Sequence, residues 1–329
     1  MFKAALLLAI IIIVSGCTTG IQGLSLLPST TLESPRDVLV IKEANTIPTS
    51  PISPGQNTDL SFVLENTDDS KEAKRVTVQL FDAPGFMNSN SKLCNVDNSC
   101  QPSECIADSE CTILPGEQKF LSIEMMSPTE NQIANVENKL TLGLKASYYF
   151  DSSTIYRIPI VNFDEIKSRQ RAGQTTEIAI PKIISSGPLE ADIEIQGQQY
   201  ILKDRESTFV VTISDKGNKR EGNVKDNKIV SGRIKVVFPH EGMKIIDWPK
   251  KGSPLAERNG FNCDESSGIC QNSADVELFK GESVPLLFKV KAIGDVDPFK
   301  SFDVKIDITN YIYELRKSVE VTVRPFENQ

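Results

Sequence analysis

Residues 139–161 read KLTLGLKASYYFDSSTIYRIPIV, and residues 302–323 read FDVKIDITNYIYELRKSVEVTV. In both, apolar side chains recur at every second position and β-branched and aromatic residues are abundant. That is the pattern of strands with one buried face. We read each stretch as two strands folded on each other. They are Lys139 to Phe150 with Thr154 to Val161, and Phe302 to Tyr313 with Leu315 to Val323. Each such hairpin closes one half of an internal repeat.

The repeat extends upstream. Pro54-Gly55 runs into Leu60-Ser61-Phe62-Val63-Leu64, and Lys203-Asp204 runs into Phe209-Val210-Val211-Thr212-Ile213. Val76 to Phe81 leads into Ala83-Pro84-Gly85-Phe86; Arg233 to Phe238 leads into Pro239-His240-Glu241-Gly242-Met243. A cysteine-bearing loop follows in both. Next come Leu114-Pro115-Gly116-Glu117 before Phe120 to Met125, and Phe279-Lys280-Gly281-Glu282 before Val284 to Val290. No stretch of useful length shows 3.6-residue periodicity. The expectation is an all-β chain with two tandem antiparallel β-sandwiches, each of about seven strands.

The Pro-Gly-x-x-x-x-Leu-x-Phe entry, the Leu-Pro-Gly-Glu turn and the closing hairpin, in this order twice, resemble the immunoglobulin-like domains of archaeal and bacterial surface proteins. The divisions are a signal peptide at 1–16, a lipidated Cys17 and tether at 17–34, and immunoglobulin-like domains at 35–163 and 188–326. A polar linker at 164–187 joins them. Ile178, Ile180, Ile183 and Ile184 within it are placed to add an edge strand.

The chain has 329 residues, 36 Lys and Arg against 44 Asp and Glu, and a net charge of -8. A protein that neutralises phosphate needs the opposite balance, so nucleic acid is not an expected partner. The single histidine, His240, excludes most His-based catalysis and His-rich metal sites. No nucleophile elbow, H-E-x-x-H helix or phosphate-cradling glycine loop occurs. We therefore expect no enzyme activity, no cofactor and no metal site.

Lys3 precedes an apolar run from Ala4 to Val14, too short to span a bilayer and of the right length for a secretory signal. Val14-Ser15-Gly16-Cys17 resembles the lipobox of prokaryotic lipoproteins, which implies a diacylglycerol thioether on Cys17. The rival is an uncleaved anchor extending through Leu24, Leu26 and Leu27. In either case the body would lie on the outer face of the cytoplasmic membrane or at the cell surface.

Lipidation would explain the odd count of seven cysteines. Cys263 and Cys270 stand alone together and make one local bridge. Cys94, Cys100, Cys105 and Cys111 allow three pairings. By analogy with the second-half pair, local bridges Cys94–Cys100 and Cys105–Cys111 are preferred. Zinc is the competing reading, but the C-x5-C-x4-C-x5-C spacing lacks the tight pairs of zinc sites.

Residues 35–163 carry 10 basic and 17 acidic side chains, a net of -7, and residues 188–329 carry 21 and 23. Asp97, Glu104, Asp108 and Glu110 in the first cysteine loop read as a solvated loop rather than a cation site. The opposite feature is a basic segment with Lys216, Lys219, Arg220, Lys225 and Lys228. It reads as a long exposed hairpin that could contact anionic lipid, acidic glycan or an acidic protein face. Tyr148, Tyr149, Phe150 and Tyr156, echoed by Tyr311 and Tyr313, read as sheet-stabilising pairs, and Trp248 as packing. The expected partners are the membrane through the lipid, and an envelope protein or glycan.

Overall fold

The computed structural model describes residues 37–94, 100–107, 109–175, 178–197, 199–218, 220–249 and 260–325. The first half contributes β1 (Leu39–Ile47), β2 (Asn57–Asn66), β3 (Lys74–Asp82), β4 (Gln118–Met126) and the long β5 (Asn138–Val161). Helix α1 (Phe163–Arg171) follows, then β6 (Lys182–Ile184), β7 (Leu189–Ile195), β8 (Ile201–Leu202), β9 (Glu206–Asp215), β10 (Gly222–Val224) and β11 (Lys228–Ile229). The chain continues with β12 (Ile234–Val237), β13 (Met243–Asp247), β14 (Phe261–Asp264), β15 (Ile269–Asn272) and β16 (Val276–Phe279). It ends with β17 (Glu282–Ser283), β18 (Leu286–Ala292) and the long β19 (Phe299–Val323).

The fold is all-β and sandwich-like. Three sheets build it: β1-β2-β4, a seven-stranded sheet holding β7, β9, β18 and β13, and a nine-stranded sheet with the order β14-β15-β12-β19-β5-β3. The repeat is visible in the registers. Leu60 pairs with Ile123 and Phe62 with Leu121, while Phe209 pairs with Phe288 and Val211 with Leu286. In β3 and β12 burial matches Val76, Val78 and Leu80 to Ile234, Val236 and Phe238, one residue away from the overlay read in the sequence.

The closing hairpins are not formed. β5 is one strand of 24 residues and β19 one of 25, about 80 Å each at strand rise. They pair antiparallel with each other from Asn138↔Val323 to Val161↔Phe299. The first sandwich therefore uses the start of β5 and the end of β19, and the second uses the remaining halves. Leu142, Leu144, Ala146, Tyr148, Phe150, Ser152, Thr154, Tyr156, Ile158 and Ile160 are all buried, in unbroken phase, and residues 151–153 stay in the ladder, with Ser152 opposite Ile308 and Ser153 opposite Asp307, instead of turning. β19 changes phase once, from Ile308 to Tyr311, by a bulge that places Asn310 at φ 54°.

The described part of the linker holds a helix and a short strand. α1 has no apolar period because only Ile166 is buried; it forms through its ends. Asn162 caps it, Asp164 and Glu165 begin it, Arg169 and Arg171 close it, and Glu165 binds Arg169 at 2.7 Å. β6 adds to the edge of β5, as expected for Ile183 and Ile184.

The two cysteine loops lie at opposite ends of the nine-stranded sheet, beside the equivalent strands β3 and β12. Beside β3, Val76 N–H donates to Cys111 and Val78 N–H to Cys105, both at 2.7 Å, and Ala73 bridges Ile113. Beside β12 lies β15, paired in turn with β14. The bridges are Cys94–Cys100, Cys105–Cys111 and Cys263–Cys270. Three disulfides place the chain in an oxidising compartment. Among the described residues no helix is long and apolar enough to cross a membrane.

Candidate functional site

The long strands cross the boundary between the sandwiches, and the junction is filled by their aromatic and polar side chains. Tyr148 and Tyr313 meet as tilted rings at 5.8 Å, and Phe150 meets Tyr311 edge-on at 6.4 Å. The hydroxyls of Tyr311 and Ser152 share a hydrogen bond of 2.7 Å. Ring contacts, with hydroxyl bonds at Tyr311 and Tyr313, join the halves rather than present a free face. The structural reading of Tyr148, Phe150, Tyr156, Tyr311 and Tyr313 holds, since all are buried.

Two carboxylates receive tyrosine hydroxyls here and behave oppositely. Tyr313 donates to Asp215 at 3.2 Å. Burial raises Asp215 above the usual carboxylate range, and nearby Asp37 adds to the rise. Asp37 accepts from the Asn218 N–H at 3.0 Å and is itself raised by burial. Tyr156 donates to Asp192 at 2.9 Å, and burial pushes this tyrosine to about 12. Burial opposes ionisation of Asp192 too, but hydrogen bonds from Lys182 and Tyr156 outweigh it and lower its pKa. Lys182 also binds Glu190, and these bonds hold it charged despite its burial. A nearby ammonium decides the difference.

On the outer side of the junction an open cleft of about 530 Å³ is lined by Lys71, Lys74, Tyr149, Phe150, Asp151 and Asn310. Lys71 reaches across to the Asp151 carbonyl at 2.8 Å, and burial lowers its pKa. The Asp151 carboxylate accepts the Asn310 N–H at 2.5 Å, and the Asn310 side-chain oxygen accepts from Arg233 at 2.6 Å. These groups satisfy one another across the bulge, so the cleft walls are engaged in structure.

The basic segment is not a free hairpin. β10 pairs with Tyr313, Glu314 and Leu315 of β19, and β11 pairs with β16. Val224 and Ile229 are buried within the charged run and anchor it between two sheets. Lys228 binds Asp275 at 3.0 Å and Lys216 is half-buried, which leaves Arg220 and Lys225 exposed. Lys219, Asp97, Asp108 and Cys17 lie outside the described residues. His240 is exposed in the turn between β12 and β13. Trp248 packs partly buried against the core. Among the described residues no three His, Cys, Asp or Glu side chains converge as a metal site.

Sequence reading missed Asp37, Lys182, Asp192 and Asp215. Lys182 and Asp192 are ten residues apart on neighbouring strands, but the partners of Asp37 and Asp215, and the Tyr156 that meets Asp192, lie far away in the chain.

No family model matches the chain, and a search of curated proteins finds no match. Similar solved structures include a protein of unknown function from Porphyromonas gingivalis W83, at 12% identity and TM-score 0.21, covering 78% of this chain and 83% of that one. The secreted serine protease VesC from Vibrio cholerae aligns at 8% identity and TM-score 0.18, over 84% of this chain and 49% of that chain. The collagen adhesin of S. aureus aligns at 8% identity and TM-score 0.14, over 89% and 96%. These low scores carry no functional argument.

Proposed function

We propose that the protein is a non-catalytic scaffold or binding protein of the cell envelope, held at the membrane by a lipid on Cys17 and acting as a component of a surface assembly. The observation that supports it most is the pair of shared strands. Two sandwiches joined by a flexible linker would move independently, whereas two strands running through both, with tyrosines packed between, hold one orientation. A stiff body suits spacing and presentation better than it suits closure on a substrate. Two acyl chains, at about 0.8 kcal/mol per buried CH2, would give a stable anchor.

Cross-linking in intact cells, followed by detergent extraction and mass spectrometry, tests this reading. A stoichiometric protein partner and a mature chain that begins at a diacylated Cys17 are expected. A chain that runs alone, released without detergent, overturns it. The second reading, a glycan-binding or adhesive surface lipoprotein, draws on the exposed Arg220 and Lys225. Replacing Lys219, Arg220 and Lys225 with Glu should then weaken adhesion, and unchanged adhesion removes that reading.

A further inference from the structure

The two halves treat the edge of equivalent strands differently. By the shared registers, β4 of the first half corresponds to β18 of the second: Leu121 stands where Leu286 does, and Ile123 where Phe288 does. β18 is covered. β13 pairs with it from Met243↔Ala292 to Asp247↔Lys289, and the position equivalent to Phe120 is Pro285, which has no N–H to offer. In the first half the same covering strand begins and stops. Phe86 and Met87 stand where Met243 and Lys244 do. Met87 exchanges two backbone hydrogen bonds with Met126, at 3.0 and 2.6 Å. The chain then turns away at Asn88, whose carbonyl and N–H close the 88–92 loop.

Among the described residues no further strand pairs with the rest of the β4 edge. Both backbone groups of Met126 point away from β2, so by the alternation of an antiparallel ladder those of Glu124, Ser122 and Phe120 do as well. None of them has a backbone partner on that side among the described residues. The described part of the cysteine loop bonds to β3 instead, and its Glu104 lies 3.9 Å from Lys119 of β4. Three other edges are blunted: β1 and β13 are bulged, and β14 is short and disulfide-linked. β4 is nine residues long and pairs with β2 without a register shift.

The side chains along this edge define what would fit. Glu124 sits directly opposite Asp59, two like charges facing each other with no ion pair between them and any cation among the described residues. Phe120 is 77% exposed beside Val63, and Ser122 stands between. An added antiparallel strand meets Glu124 first, then Ser122, then Phe120. Its outward residues should therefore be a cation, a small residue and an aromatic or branched apolar residue, at alternate positions.

We infer that the β4 edge is a docking site for an extended basic-apolar segment of a partner polypeptide, of the form Lys/Arg-x-small-x-apolar, added as a fourth strand beside β4. The main chain supplies up to six hydrogen bonds, and the cation relieves the Asp59–Glu124 pair. The acidic balance of residues 35–163, a net of -7, favours the same partner. The inference deepens the scaffold reading by naming a surface, and it is tested on isolated protein, so either can fail alone.

The test uses the full chain and the blocked peptide Ser-Lys-Val-Thr-Val-Phe-Ser, with amide hydrogen exchange as the readout. Exchange at Phe120, Ser122 and Glu124 should slow on adding peptide, and the same peptide with Glu in place of Lys should bind about tenfold more weakly. Ser122→Pro removes an outward N–H that makes no bond to β2, and should abolish the protection. Should that variant misfold, Glu124→Lys keeps every backbone group and should reverse the preference between the two peptides. No protection by either peptide, protection that neither substitution alters, or a chain that dimerises through this edge without peptide each overturns the inference.

Discussion

The two halves share a frame and fill it with different matter. The second sandwich is centred on phenylalanines: Phe209 meets Phe238 at 5.7 Å, Phe238 meets Phe288 at 5.6 Å, and Phe261 meets Phe288 at 5.2 Å. At the equivalent positions the first has Leu60, Leu80 and Ile123, and it buries Cys94, Cys100, Cys105 and Cys111. Smaller apolar side chains leave volume that interiors do not leave empty. There the disulfides act as core material as well as cross-links. In the second half Cys270 is buried but Cys263 is only partly so, at the sheet margin. The lesson is that a β frame is specified by register, while the filling can be exchanged.

The largest expected effect tests the aromatic core. Phe288→Ala removes the ring that touches both Phe238 and Phe261, and should cost about 3–5 kcal/mol in chemical unfolding. Urea titration followed by tryptophan fluorescence would read it, since Trp248 lies in that half. A loss below about 1 kcal/mol would mean that the cluster does not behave as a close-packed core.

Next come the disulfides. Loop closure alone gives each of the three short loops about 2 kcal/mol. Replacing Cys105 and Cys111 with Ala should cost more than replacing Cys263 and Cys270, because the first change also opens space in a core. Equal shifts in thermal midpoint would erase the proposed distinction between core bridge and marginal bridge.

The two tyrosine–carboxylate pairs at the junction offer a smaller, signed comparison. Asp192 is held below its ordinary 3.8, so its contribution is present above that value and lost as pH falls through the lowered one. Asp192→Asn should cost about 1 kcal/mol at pH 7, a value reduced because solvent reaches this carboxylate. Asp215 is raised, so its contribution is full below 3.8 and lost as pH rises through the raised value. Asp215→Asn keeps the acceptor for Tyr313 and should leave stability at pH 7 equal or greater. Unfolding curves of both variants between pH 3 and pH 8 should diverge in opposite senses. Parallel curves would show that Lys182 does not divide the two sites.

Much of this was legible in the chain. Period-2 alternation marked the strands, the twice-repeated order of motifs marked two sandwiches, and cysteine clustering marked the Cys263–Cys270 bridge, while the pairing within residues 94–111 was preferred only by analogy with it. α1 was not legible, because its formation rests on caps and charge placement around one buried residue. The basic segment was misread because Val224 and Ile229 look isolated among charges until the sheets they join are known. Asp37 and Asp215 carry no local mark of burial.

The alternation from Leu142 to Ile160 never breaks phase, which suits one continuous strand and a hairpin with a three-residue turn alike. Alternation determines which side chains face inward, and by that the sequence alone established an all-β chain with two repeats. It does not determine which strand lies alongside, because a strand's backbone offers the same hydrogen bonds to any neighbour of matching phase. That choice was made by the tertiary structure. Pairing β5 with β19 along their full length buries both apolar faces and both sets of tyrosines at once. Two separate hairpins would have left the junction open.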